Sequence, residues 1–117
     1  MFPFRLIEAG GGRAVVECDV DDAVRNHVGS LHGGVIATLV DDAGTAAIAS
    51  ADAAGRFGVT TDLNVSYFAA ARQGTVTARA HVLKPGRTLA FVTVDVVDAG
   101  GRLLAQGRMT KFMPVGS

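Results

Sequence analysis

The stretch LHGGVIATLVDDAGTAAIASADAA, residues 31–54, decides how the rest of the chain is read. From Val35 to about Ala53 it is rich in Ala, Val, Ile, Leu and Thr, enough for a helix of about 27 Å at 1.5 Å per residue. Ala37, Ala43, Gly44, Ala46, Ala47 and Ala49 carry little bulk, so a sheet can approach the helix backbone closely. The helix is therefore expected to be buried over most of its surface. Gly33 and Gly34 open it, and Gly55 to Gly58 stop it. Asp41 and Asp42 stand at its centre, which argues against a membrane span.

Working outward, Phe4 to Ala9 and Arg13 to Val20 read as strands joined at Gly10-Gly11-Gly12. In the second, Ala14, Val16, Cys18 and Val20 alternate with more polar neighbours, as a half-buried strand requires. Asp21 to Ser30 is polar, carries no period and reads as a loop. Beyond the helix, Val59 to Ala69, Thr75 to Lys84, Thr88 to Asp98 and Leu103 to Phe112 show a period of two. Pro85-Gly86-Arg87 and Asp98 to Arg102 separate the last three with hairpin chemistry. The order β-β-α-β-β-β-β predicts one α+β domain over residues 1–117, with antiparallel neighbours and one long helix. Such a sheet has two open edges, and edge-to-edge pairing of two copies would close them, so a homodimer at least is expected.

A formal net charge of zero gives no electrostatic footing for duplex nucleic acid or an anionic membrane surface, and neither partner is expected. The charge is unevenly spread. Met1 to Asp62 hold four basic and nine acidic side chains; Leu63 to Ser117 hold seven basic ones, Arg72, Arg79, Lys84, Arg87, Arg102, Arg108 and Lys111, against Asp95 and Asp98. The C-terminal half could meet a small anionic ligand, or these cations could be solvated strand positions. Cys18 is the only cysteine, so no disulfide framework or cysteine-zinc cluster forms. With no basic-then-apolar leader, a soluble protein of the reducing cytoplasm is expected.

Asp is a poor interior helix residue, and burying it ionised costs several kcal/mol unless it is paired. Asp41 and Asp42 depart from local preference, as functional sites often do. A solvated stripe with Thr38 and Thr45 is the other reading, and the period does not choose between the two aspartates. Upstream, Gly33 and Gly34 offer unpaired N–H groups and the positive end of the helix dipole to an oxyanion. His32 could serve as base, cap or loop residue; Asn26 could hold a carbonyl or a water, or simply make a turn. There is no Gly-x-Ser-x-Gly elbow, Walker loop or Gly-x-Gly-x-x-Gly fingerprint, and His27, His32 and His81 lack metal spacing.

The run from Asn26 to Asp41, NHVGSLHGGVIATLVD, resembles the core motif of hotdog-fold acyl-CoA thioesterases, in particular the phenylacetate-degradation (PaaI-like) type. The likeness continues in order through Val59 to Tyr67, His81 to Phe91 and Ala105 to Arg108. It implies an antiparallel sheet wrapped around one long central helix, paired into dimers and often tetramers with shared active sites. It implies that Asp41 is the catalytic carboxylate, Gly33 the N–H that polarises the thioester carbonyl, Asn26 the side chain orienting carbonyl or water, and Thr60 the assisting hydroxyl. Carboxylate and hydroxyl would come from one subunit, Asn and Gly from the other. Tyr67 to Arg72 and Lys84 to Leu89, with Pro85, Gly86, Arg87 and Thr88 among them, would line the coenzyme A path. CoA is then part of the substrate, and no separate cofactor is expected.

Two departures bear on the acyl pocket. Many relatives carry a helix before the first strand, for which Met1-Phe2-Pro3 leaves no room; and Thr60 replaces a Ser used by some, adding a methyl. The same fold could instead carry a non-catalytic acyl-CoA binder, a hydratase or a plain dimerisation module.

Overall fold

A computed structural model describes residues 3–114, so the expectation about Met1 and Phe2 lies outside the described residues. The elements are β1 (Phe4–Gly10), β2 (Arg13–Asp19), α1 (Gly33–Ala51), β3 (Val59–Tyr67), β4 (Thr75–Pro85), β5 (Leu89–Val97) and β6 (Leu103–Phe112). This is the expected order. The strands form one antiparallel sheet in the order β1-β2-β4-β5-β6-β3, so β1 and β3 are its edges.

The period of two explains the core. Val16 and Cys18 of β2, Val76 and Ala78 of β4 and Val92, Val94 and Val96 of β5 all face inward and are buried. The helix meets them with Val35, Ile36, Leu39, Val40, Ala43, Gly44, Ala47 and Ile48, a single stripe at helical spacing. Burial of the helix is thus less complete than its composition suggests: eight of nineteen residues are buried. The stripe of Thr38, Asp41, Asp42 and Thr45 is only partly covered by this chain. Length and mean hydropathy alone would let α1 cross a membrane, yet its apolar stripe is spent on the sheet.

Close approach of sheet and helix is achieved at Gly107 of β6, where a Cβ would stand 2.5 Å from Val40 Cγ1.

The helix begins and ends two residues earlier than its composition suggests, and capping explains both shifts. His32 caps the start. At the other end the Asp52 N–H donates to the Ile48 carbonyl at 3.1 Å. The Asp52 carboxylate accepts from the Ala54 and Arg56 backbone N–H groups at 3.0 Å each and from Arg56 Nη2 at 2.7 Å. Arg56 Nη1 reaches on to the Pro114 carbonyl at 3.0 Å, pinning the helix end to the chain beyond β6.

The Arg56 guanidinium, with these backbone donors, holds the Asp52 carboxyl at about 2, below the ordinary 3.8. A carboxyl depressed by folding adds stability that is complete above its unfolded value and is lost as pH falls through its folded one. The stability gap between wild type and Asp52→Asn should therefore be full at neutral pH and close between 3.8 and about 2. Urea unfolding midpoints across that range measure it; a gap that stays constant in acid would contradict the assignment.

Candidate active site

Strand β3 carries a bulge. Thr60 pairs with Lys111 and Asp62 with Thr110, leaving Thr61 as the extra residue and turning Thr60 toward the helix. Thr60 Oγ1 donates to Asp41 Oδ1 at 3.0 Å and lies 3.8 Å from Met109 Sδ. Asp41 is half-buried. Asp42, about 100° further round the helix, is exposed and makes no hydrogen bond among the described residues. Partial desolvation pushes its carboxyl up, as does the charge of Asp41, while Lys111 opposes both. The ambiguity left by the period is thus resolved by position: Asp41 has the hydroxyl partner.

At the start of α1, His32 takes the capping role of its three candidate roles. Its Nδ1 accepts from the Gly34 N–H at 2.9 Å, which commits that nitrogen as an acceptor and leaves Nε2 outward. The Gly33 N–H has no partner among the described residues, while its carbonyl accepts from Tyr67 Oη at 2.7 Å. Tyr67, expected on the coenzyme A path, therefore also braces the helix start.

Asn26 Oδ1 accepts from the Val28 and Ser30 N–H groups at 3.1 Å each and from Ser30 Oγ at 3.3 Å. This turn commits the carbonyl end of Asn26 and leaves its NH2 as the end able to reach a ligand. Gly33 precedes Asp41 by two turns, about 12 Å along the axis. In a single chain they cannot flank one carbonyl carbon.

The residues expected along the CoA path divide into two groups. Arg72 lies before β4 and donates from Nη1 to the Val28 carbonyl at 3.1 Å. Lys84, Pro85, Gly86, Arg87 and Thr88 form the β4-β5 hairpin at the other end of that strand, about 30 Å away at 3.3 Å per residue. One chain therefore presents two separate cationic positions. Gly86 is needed for the turn itself, because a Cβ there would collide with the Leu89 carbonyl oxygen. Between hairpin and helix end lies a cavity of about 300 Å³ lined by Ile48, Asp52, Arg56, Pro85, Arg87 and Met113.

One residue near the site was hidden among the basic side chains of the C-terminal half. Lys111 is 5% exposed, and its Nζ donates to Thr45 Oγ1 at 2.7 Å. Burial pushes its ammonium down from the usual lysine range, against the pull of Asp41 and Asp42. The signal was its parity: Ala105, Gly107, Met109, Lys111 and Met113 alternate along one face, and all are buried.

Comparison with known proteins fits this arrangement. The thioesterase superfamily profile matches residues 28–105, from the loop ahead of α1 through β3, β4 and β5 to the start of β6. The chain belongs to the thioesterase superfamily.

Acyl-coenzyme A thioesterase 13 of Homo sapiens is 43% identical over 110 residues, spanning 92% of this chain and 78% of that protein. Zebra fish thioesterase superfamily member 2 superposes on this thioesterase with a TM-score of 0.90 at 42% identity, covering 95% of this chain and 81% of the other. A Streptococcus pneumoniae thioesterase protein solved with coenzyme A gives 0.88 at 26% identity, over 95% and 85%. These neighbours and the single helix on an antiparallel sheet make this thioesterase a hotdog fold.

Proposed function

We propose that this thioesterase hydrolyses aryl-CoA or medium- to long-chain acyl-CoA to free acid and CoA, with Asp41 and Gly33 at the reacting centre. Asp41 takes a proton from water as the water oxygen attacks the thioester carbon, or attacks that carbon itself to give an anhydride that water opens. In either route the C–S bond breaks and CoA leaves as a thiolate, which takes up the proton released by the consumed water. The Gly33 N–H donates to the oxyanion, Asn26 orients carbonyl or water through its NH2, and the Thr60 hydroxyl holds Asp41 Oδ1. His32 caps the helix that presents the oxyanion donor.

The observation that carries the reading is the pair of features on α1: a hydroxyl-held carboxylate at mid-helix and an unpartnered glycine N–H two turns earlier. A second copy is needed to bring them to one carbonyl. We therefore infer a homodimer with two shared sites, doubled further in a homotetramer, each joining Asp41 and Thr60 of one copy to Gly33 and Asn26 of the other. Lys84, Arg87 and Arg72, brought in from different copies, supply cations for the CoA phosphates, with Tyr67, Pro85, Gly86 and Thr88 along the same path. The S. pneumoniae protein solved with coenzyme A supports a CoA ester as substrate. A cytoplasmic location accords with Cys18 as a buried free thiol.

Free-thiol release across a panel of aryl and fatty acyl-CoAs tests the activity. CoA-ester binding without release anywhere in the panel would make this a sensor instead. Mixing inactive Asp41→Asn and Asn26→Ala chains tests the sharing. Random reassortment should restore about a quarter of wild-type activity, because half the dimers regain one of two sites. No recovery after verified subunit exchange would rule out sharing.

A further inference from the structure

We infer that Lys111 is a positioning residue for the reacting carboxylate: its buried ammonium, tied to Thr45 and set beside Thr60, holds a positive charge against the stretch of helix that carries Asp41 and Asp42. The inference rests on the reading of Asp41 given above. Lys111 pairs in register with Thr60 on one side and Ala90 on the other. From adjacent strands, Thr60 reaches Asp41 and Lys111 reaches Thr45, which is four residues after Asp41 and three after Asp42. At that spacing the three side chains share one stretch of helix surface. The ammonium therefore sits against the acidic stripe.

A lysine is costly in this position. Its neighbours of the same parity, Met109 and Met113, show what packing alone asks for: an unbranched apolar chain with no charge to desolvate. A structural role would be met by a third methionine. What a lysine adds is a positive charge where two adjacent carboxylates repel one another, a situation that otherwise drives one of them to take up a proton.

The surroundings offer no substitute among the described residues. On α1 the charged groups within a turn of Thr45, to which Lys111 is tied, are Asp41 and Asp42, and Asp52 at the helix end is already bound to Arg56. On β3, Thr60 faces it, while Asp62 is in register with Thr110 and alternates outward. On β5 the inward residues are Ala90 and Val92, neither of them titratable. On β6 itself, Arg108 alternates to the outer face.

The test uses the full-length enzyme and two readings. The first is the pH profile of kcat/KM for phenylacetyl-CoA and lauroyl-CoA in wild type, Lys111→Met and Lys111→Arg. The second is the titration of 13C-labelled Asp carboxylates by NMR, with Asp41→Asn and Asp42→Asn for assignment. Lys111→Met is expected to move the acidic limb and the carboxylate titrations to higher pH. Its kcat/KM should fall roughly tenfold at the acidic end and recover as pH rises, since a nearby opposite charge acts on that scale. Lys111→Arg should keep the wild-type limb.

A loss of kcat spread evenly over pH, or carboxylate titrations unchanged in Lys111→Met, would overturn the proposal. Lys111→Gln carries the same readings should the methionine variant not fold. If Asp41→Asn proves fully active, the reading of Asp41 falls on that result alone, while the NMR titration still decides whether the Lys111 charge acts on the helix carboxylates.

Discussion

Replacing Asp41 by Asn will lower kcat by about 10³-fold, within the range of a lost general base or nucleophile, while Asp42→Asn will leave kcat within about twofold. The contrast follows from geometry. Asn keeps the size of Asp and an oxygen able to accept from Thr60 Oγ1, so the 3.0 Å contact and the fold can survive the exchange. What Asn lacks is the basicity and the negative charge that either mechanism requires. Asp42 is exposed and has no hydrogen bond to lose among the described residues. Free-thiol release at saturating acyl-CoA, with circular dichroism to verify folding, makes the measurement. Equal losses in the two variants would remove Asp41 from its role.

The second large effect is on the fold. Gly107→Val should destabilise the protein by about 3 kcal/mol, the upper part of the usual range for overpacking a core. A Cβ at Gly107 would stand 2.5 Å from Val40 Cγ1 and 3.2 Å from Cγ2. Val40 is fully buried and β-branched, so in a helix it has essentially one rotamer and cannot swing aside. By contrast, a Cβ at Gly44 would meet first Met109 Cε, the far end of a flexible chain, with stiff Val92 Cγ1 further off at 3.0 Å, so Gly44→Ala should cost less. Thermal unfolding should show Gly107→Val melting about 10 °C or more lower. Adding Val40→Ala should recover part of the loss, because it removes the methyls in conflict; a strictly additive double mutant would show that this contact is not the cause.

The helix and all six strands could be read from the chain because their signals are periods, and periods persist whatever the partner. The errors sit where a single side chain overrides the period. His32 is an uncommon cap, and Asp52 looked like one more residue of the helix until its backbone N–H, its carboxylate and Arg56 were seen to close the end together. At the site, local pattern could not separate Asp41 from Asp42. That choice is made by Thr60, nineteen residues away and aimed by a bulge that no composition reveals. Lys111 was counted as a possible solvated cation, although its parity with Met109 already placed it inward. Tyr67 was expected near CoA, and its bond to the Gly33 carbonyl needed the packing of β3 against α1 to be seen.

That bond and the one from Thr60 have a joint consequence. Both ends of the same edge strand are fastened to the same helix, Thr60 at Asp41 and Tyr67 at the Gly33 carbonyl. The strand between them is thereby matched in length to the stretch of helix from the Gly33 carbonyl to Asp41. An insertion or deletion of one residue between Thr61 and Ser66 would release one end or the other, and side-chain alternation would turn the released residue outward. In this architecture the edge strand between its two fastenings is a part of the chain whose length cannot drift.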